Sequence, residues 1–117
     1  MAIGKSGQIV LFTFPQTNLA VGKSRPSLLI TPLPSSYDDW LVCMISTQIQ
    51  QAIPNIDEII SPAETDFTQS GLKTESLFRL TRLAVVSESI FLGTIGEISA
   101  NRLEKIKKRL AHWIEES

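Results

Sequence analysis

The stretch GQIVLFTFP, residues 7–15, indicates the fold class of this chain. It is rich in β-branched and aromatic residues and ends at a proline, which is typical of a β-strand. Successive side chains of a strand point to opposite faces. The two faces would carry Val10, Phe12 and Phe14 on one side and Ile9, Leu11 and Thr13 on the other. Both sets are largely apolar, so we expect this strand to be covered on both faces.

Further segments have strand character and are bounded by proline, glycine or polar turn residues. They are residues 25–31, 40–45, 57–60 and 76–86, with 91–96 as a short strand or a single turn. Residues 63–71 are polar, and we expect them to form a loop. The chain therefore contains strand signals over roughly residues 7–96.

Helical spacing occurs only in the closing stretch SANRLEKIKKRLAHWIEES. Apolar residues recur there at three- and four-residue steps, at Leu103, Ile106, Leu110 and Trp113. We expect a helix over roughly residues 99–115, with Ser99 or Asn101 as its N-cap. Several short strands with one terminal helix predict a small closed β-barrel or sandwich, with the helix packed on one end or side. The 117 residues suit a single domain, 1–117.

Composition limits the possible partners. The chain is 43% apolar and 20% charged, with a net charge of −1, so any binding to a polyanion must come from a local cluster of cations. No apolar stretch approaches the roughly 20 residues that span a bilayer, and the N-terminus lacks the apolar core of a signal peptide. We expect a cytoplasmic protein with no membrane partner. Cys43, the one cysteine, lies in an apolar run and is expected to be a buried thiol.

Several kinds of catalytic site are excluded or disfavoured by missing residues. His112 is the one histidine, so common zinc sites and two-histidine ribonucleases are excluded, and a Ser-His-Asp triad is disfavoured. Glycine-rich nucleotide-binding motifs are absent. The acidic pairs Asp38-Asp39 and Asp57-Glu58 are expected to lie in solvated turns, because neighbouring side chains of a strand diverge. We therefore expect no metal and no cofactor.

The stretch GKSRPSLLITP, residues 22–32, places a fixed cation at the mouth of a buried strand. Arg25 is either an ordinary surface charge or a residue that handles phosphate. Ser46 and the residues that follow it have two possible roles. Their side chains either hydrogen-bond to the neighbouring backbone at the end of a strand, or they belong to a functional site. Positive charge is also present at Lys73, Arg79 and Arg82. These residues either contribute to such a site or form one solvated face.

Taken in order, five stretches resemble the MazF/PemK family of toxins from type II toxin–antitoxin systems. They are GQIVLFTFPQTN, SRPSLLITP, WLVCMISTQ, GLKTESLFRLTRLAVV and LGTIGEISANRLEKIKKRL. The resemblance covers roughly residues 6–115. It implies a mainly β fold, an SH3-like barrel of the CcdB-like type with a C-terminal helix, and a homodimer neutralised by a cognate antitoxin protein.

The resemblance also implies an activity and its residues. Family members are metal-independent, sequence-specific endoribonucleases that cleave single-stranded RNA. A 2′-hydroxyl attacks the adjacent phosphate and leaves a 2′,3′-cyclic phosphate. Arg25 and Ser46 match the family's two catalytic positions. The positions expected to contact RNA are Thr17, Lys23, Thr47, Gln48, Lys73, Arg79 and Thr81.

Two of this chain's departures from the family pattern lie at predicted site positions. Ser46 stands where many members have threonine, and Thr81 replaces the acid of the family's Arg-Leu-Asp-Lys stretch. If that acid serves as a general base or reads a nucleobase, the change would alter specificity or abolish activity. Two other functions on the same fold stay open: a non-catalytic RNA- or protein-binding homologue, and a CcdB-type gyrase inhibitor.

Overall fold

A computed structural model describes residues 4–13, 24–35 and 37–117 of the chain. Its strands and helices are β1 (Gln8–Thr13), β2 (Ser24–Pro32), β3 (Asp39–Ser46), β4 (Glu58–Ile60), α1 (Phe67–Ser70), β5 (Ser76–Ser87), β6 (Gly93–Glu97) and α2 (Ala100–Glu116). Single 3₁₀ turns lie at Ile49–Gln51 and Glu88–Ile90.

The six strands form one antiparallel sheet in the order β4-β5-β3-β2-β1-β6. The sheet is curled, because residues from β1 through β5 meet in one apolar cluster on its concave side, where α2 also packs. The predicted fold class is confirmed: the protein is mainly β, with a C-terminal helix.

The helix α2 begins where its sequence predicts. The Oγ of Ser99 accepts a hydrogen bond of 3.1 Å from the backbone N–H of Arg102, so Ser99 rather than Asn101 is the N-cap. Ile106 and Leu110 are buried against the sheet. The apolar stripe of the helix therefore closes the open side of the curled sheet, as the three- and four-residue spacing indicates.

Two apolar clusters lie on opposite faces of the sheet. The inner cluster contains Ile9, Leu28, Cys43 and Phe78, together with the helix residues. The outer cluster consists of Val10, Phe12, Leu29, Trp40 and Val42. Val10 and Phe12 have no exposed surface, which confirms that both faces of β1 are covered. The chain itself provides this cover, so the apolar character of β1 does not require a partner.

Two expectations from the sequence are wrong in detail. The polar segment 63–71 contains the single helical turn α1, which ends at Gly71 with a left-handed φ of 73°. The acidic pair Asp57-Glu58 is not in a solvated turn, since the two residues are only 6% and 5% exposed. The second miss has a tertiary cause, because groups distant in sequence provide the partners for these two acids.

The partner of Glu58 is a buried arginine. Arg102 of α2 contacts Glu58 at 2.8 Å, Glu64 at 2.7 Å and Asp66 at 2.8 Å. Asp66 also accepts a hydrogen bond from the backbone N–H of Ser99. Hydrogen bonding to Arg102 is the main reason that the pKa of Asp66 falls from 3.8 to about 2. The network ties the helix N-terminus to the segment between β4 and β5.

Candidate functional site

Arg25 and Ser46 lie on neighbouring strands at the same end of the sheet. In the antiparallel pairing of β2 with β3, Ser27 lies opposite Met44, and the Ser27 hydroxyl contacts the Met44 sulfur at 3.8 Å. Arg25 and Ser46 are each two residues further toward that end. Side chains two apart in a strand share a face, so both belong to the outer face of the sheet.

The strand β5 brings a second arginine to this place. Arg79 pairs with Met44 on the other side of β3 and so points to the same face as Ser46. One step on β3, from Cys43 to Met44, corresponds to four steps on β5, from Leu83 to Arg79. The residues Leu80–Arg82 consequently form a bulge with no partner on β3.

The bulge has its own support. Leu80 is fully buried in the inner cluster, and its backbone N–H donates a 2.9 Å hydrogen bond to Oδ1 of Asp57. The other carboxylate oxygen, Oδ2, accepts from the backbone N–H of Ile53 at 2.9 Å. The Asp57 carboxylate thus accepts the backbone hydrogen bond for which β3 supplies no acceptor. Beyond the bulge, Arg82 lies on the same side of the sheet as Arg79.

These residues line a cleft of about 450 Å³ on the outer face. Its lining consists of Arg25, Pro26, Met44, Ile45, Ser46, Arg79 and Arg82. Three guanidinium groups and one hydroxyl therefore meet in a space that has an apolar floor. No carboxylate and no imidazole belongs to this lining within residues 4–13, 24–35 and 37–117.

The three arginines of the cleft have no ion pair with any acid of the described chain, unlike Arg102 and Arg109. The Nε of Arg79 is buried and lacks a hydrogen-bond partner among the described residues. A buried donor on a charged group is costly to leave unpaired. The cleft is therefore electrostatically suited to an anionic ligand that supplies acceptor oxygens.

Ser46 makes the local hydrogen bond expected of a polar strand end. Its Oγ accepts from the backbone N–H of Gln48 at 3.0 Å, which closes the turn after β3. A serine hydroxyl can accept and donate at once, so its O–H remains available to donate to a ligand in the cleft. The two interpretations of Ser46 are thus compatible.

The other predicted contact residues are dispersed. Thr47 and Gln48 are exposed in the turn after β3, beside the cleft but not in its lining, and Lys73 is exposed in the segment before β5. Thr81 is half-buried in the bulge and does not line the cleft. Thr17 and Lys23 lie outside the described residues. Arg82 was not among the predicted contact residues; its charge and its match to the basic position of the family's Arg-Leu-Asp-Lys stretch were the signals for it.

Metal-ligand clusters and membrane-spanning helices are both absent from the part of the chain that the structure describes. In the described ranges, no three histidine, cysteine or acidic side chains are grouped so that they could hold a metal ion. None of the helices that the structure describes is long and apolar enough to cross a membrane.

A family model agrees with this architecture. Residues 5–114 match the model described as "PemK-like, MazF-like toxin of type II toxin-antitoxin system". The chain belongs to the PemK/MazF toxin family. The resemblance inferred from the five sequence stretches is therefore confirmed. A search of curated protein sequences found no significant match.

Solved structures of a toxin and of an endoribonuclease share the fold. The Mycobacterium tuberculosis toxin MazF-mt6 is similar with a TM-score of 0.68 and 14% identity, over 92% of this chain and 96% of that one. A mycobacterial endoribonuclease, solved in complex with its cognate antitoxin, is similar with a TM-score of 0.63 and 15% identity. This second match covers 94% of this chain and 93% of that one. At such low identity the likeness establishes the fold alone.

Proposed function

We propose that this toxin is a metal-independent endoribonuclease that cleaves single-stranded RNA in the cleft between β2, β3 and β5. The observation that carries the proposal is the meeting of Arg25 and Ser46 in one cleft with unpaired arginines. The proposed reaction is attack of a ribose 2′-hydroxyl on the adjacent phosphate. The 5′-oxygen leaves as a hydroxyl, and the other product ends in a 2′,3′-cyclic phosphate.

Arg25 would stabilise the charge that develops on the phosphoryl oxygens. A guanidinium presents a planar fork that binds two oxygens, and it stays charged at any working pH. Pro26 restricts Arg25 to extended backbone angles, so the side chain is presented from a stiff base. A cation that stays charged is a poor proton acceptor, and we therefore assign Arg25 to charge stabilisation rather than to general-base catalysis.

Ser46 would donate its hydroxyl proton to the same phosphate while its oxygen accepts from Gln48. One well-placed donor in a preorganised site lowers the barrier by about 3 kcal/mol. The remaining RNA contacts are proposed, from the family resemblance, at Thr17, Lys23, Thr47, Gln48, Lys73, Arg79 and Thr81. The toxin would act as one domain over residues 1–117.

The proposed partners are a second copy of the chain and a cognate antitoxin. The mycobacterial relative was solved with its antitoxin, which supports a protein inhibitor for this toxin. An acidic segment of that inhibitor would compete with RNA for the unpaired arginines. Light scattering of the purified toxin should give the mass of a dimer, and co-expression with the neighbouring reading frame should yield a complex. A monomer at tens of micromolar, or no complex, would contradict the respective proposal.

One observation favours a second candidate function, a non-catalytic RNA-binding homologue. The described lining of the cleft provides no carboxylate or imidazole, and Thr81 stands at the family's acidic position. Such a protein would bind single-stranded RNA through the same arginines but leave it intact.

A cleavage assay on a long single-stranded RNA separates these two functions. We expect site-specific fragments whose 3′ ends carry a cyclic phosphate, in equal yield with and without excess EDTA. Loss of cleavage in EDTA would contradict the metal-independent mechanism. Intact RNA, bound but not cut by the wild type, would favour the non-catalytic homologue.

A further inference from the structure

The bulge in β5 creates a pair of arginines that regular strand geometry would separate. Residues three apart in a strand point to opposite faces. Arg79 and Arg82 nevertheless line the same cleft, because Leu80–Arg82 are extra residues without partners on β3. The bulge is anchored at Leu80, whose side chain is buried and whose backbone N–H donates to the carboxylate of Asp57. The backbone positions of Arg79 and Arg82 beside the cleft are therefore set by the bulge.

The pair lies to one side of the proposed reaction centre. Arg25 is on β2 and Arg79 is on β5, with β3 between them. Strands that are second neighbours in a sheet are about 10 Å apart. Ser46, the other proposed catalytic residue, lies opposite Leu77 on β5, two residues before Arg79. The backbone positions of the two arginine groups are thus separated by more than the width of one phosphate.

The positive charge of the cleft also indicates that it binds more than one anionic group. Three unpaired guanidinium groups face the cleft, and no acid of the described chain neutralises them. A phosphodiester carries a single negative charge, so one phosphate would leave two of these cations without a counter-charge. The buried Nε of Arg79 needs an acceptor of its own. Successive phosphates of a single strand would provide both the charge and the acceptors.

We propose that Arg79 and Arg82 form a second phosphate-binding subsite, which holds the phosphate next to the one being cleaved at Arg25 and Ser46. This proposal rests on the proposed function for its substrate class. The subsite fixes the path of the strand across β3 and leaves the chemistry to Arg25 and Ser46. The subsite binds the RNA equally strongly in the ground state and in the transition state.

The test measures binding without cleavage. Fluorescent 2′-O-methyl RNA oligonucleotides lack the attacking hydroxyl, and their affinity is followed by anisotropy at several salt concentrations. The variants are Arg79→Ala and Arg82→Ala, with Lys107→Ala as the matched control, because Lys107 is an exposed cation of α2 outside the cleft. Arg82 is exposed, so its variant should fold, and thermal melting verifies this for all three.

We expect each arginine variant to weaken binding about tenfold, as for loss of a charge-assisted hydrogen bond. Each should also lower the slope of log affinity against log salt by about 0.7, the value for one phosphate contact on a single strand. A dinucleotide with one phosphate should be bound equally by wild type and variants, whereas a trinucleotide should discriminate between them. Lys107→Ala should change neither affinity nor slope.

The proposal is overturned if the two arginine variants behave like Lys107→Ala, or if the wild type binds no oligonucleotide. It is also overturned if Arg82→Ala weakens binding of an acidic peptide but not of the oligonucleotide, since the pair would then be a surface for protein. Its failure is distinguishable from that of the proposed function. Cleavage that depends on Arg25 with unchanged oligonucleotide binding would reject only the subsite. Arginine-dependent binding without cleavage would reject only the nuclease.

Discussion

The carboxylate of Asp57 accepts a 2.9 Å hydrogen bond from the backbone N–H of Leu80, 23 residues later in the chain. Asp57 is itself buried, and its second oxygen is bonded to the N–H of Ile53. One acidic side chain therefore holds both the segment before β4 and the bulge of β5. The bulge in turn determines which cations face the cleft, so an internal acid shapes an external site.

Replacing this acid should destabilise the protein. Asp57→Ala leaves the Leu80 N–H buried without an acceptor, and such a donor costs about 1–3 kcal/mol. Urea denaturation should give a free energy of unfolding lower by about that amount. Asp38→Ala removes an exposed acid and is the matched control. Equal stability of the two variants would contradict the role given to Asp57.

Removing the buried arginine of the acidic network should be more costly. Arg102→Met leaves the buried Asp66 without its cation. Glu58 keeps only the more distant Lys105 and Arg109, both at 3.4 Å. Removing one partner of a buried ion pair typically costs about 3–5 kcal/mol. Lys108→Met, which breaks an exposed pair with Glu104, should leave the free energy of unfolding nearly unchanged. A small effect of Arg102→Met in urea denaturation would mean that water compensates the two carboxylates.

The same network should make stability depend on pH. The pKa of Asp66 is about 2 in the folded protein, below its ordinary value of 3.8, because Arg102 bonds its charged form. The stabilisation is complete above the ordinary pKa and is lost as the pH falls from about 4 to 2, and it amounts to about 2 kcal/mol. Asp66→Asn should therefore be less stable than wild type at pH 7 but close to it near pH 2. A difference that is constant with pH would contradict this assignment.

Two glycines of β6 provide a matched pair for testing packing. A Cβ at Gly96 would overlap the backbone of Gln69 and Ser70 in α1, whereas nothing lies within 4 Å of one at Gly93. Gly96→Ala should cost about 3 kcal/mol because backbone must move. Gly93→Ala should stay within about 0.5 kcal/mol. Thermal melting of the two variants measures the difference. Similar melting temperatures would show that the backbone of α1 can shift at little cost in stability.

The proposed catalytic residues should respond to conservative changes in opposite ways. Arg25→Ala should lower the cleavage rate about 100-fold or more, and Arg25→Lys should restore only part of it, because an ammonium lacks the planar fork. Ser46→Ala should also be slow, whereas Ser46→Thr keeps the hydroxyl and should be active. Single-turnover cleavage of a defined RNA gives these rates, with Lys107→Ala as control. Full activity of Arg25→Ala would remove the proposed mechanism.

The reactivity of the Cys43 thiol reports whether reagents from the solvent can reach the inner cluster. Burial, and then the negative charge of Asp57, raise the pKa of its thiol, so little thiolate exists at neutral pH. We expect the native protein to react with a disulfide reagent only as fast as it unfolds, and the urea-unfolded protein to react at once. Rapid labelling of the native toxin would show that the cluster opens locally.

The sequence by itself determined the strands, the terminal helix and the family. Strand and helix periodicities depend on local alternation of apolar and polar residues, which is why the apolar faces of β1, the N-cap at Ser99 and the burial of Cys43 could be predicted. Arg25 and Ser46 were predicted to share a site only from the family resemblance, and the pairing of β2 with β3 is what places them at the same end of the sheet.

The tertiary structure alone decided which charges are buried and which share a cleft. Asp57, Glu58 and Asp66 appear as ordinary polar residues because their partners, Leu80 and Arg102, are distant in sequence. Arg82 could not be assigned to the cleft, since a regular strand would turn it away from Arg79. A bulge changes the two-residue period, and its position is set by non-local packing and hydrogen bonds rather than by the residues that form it.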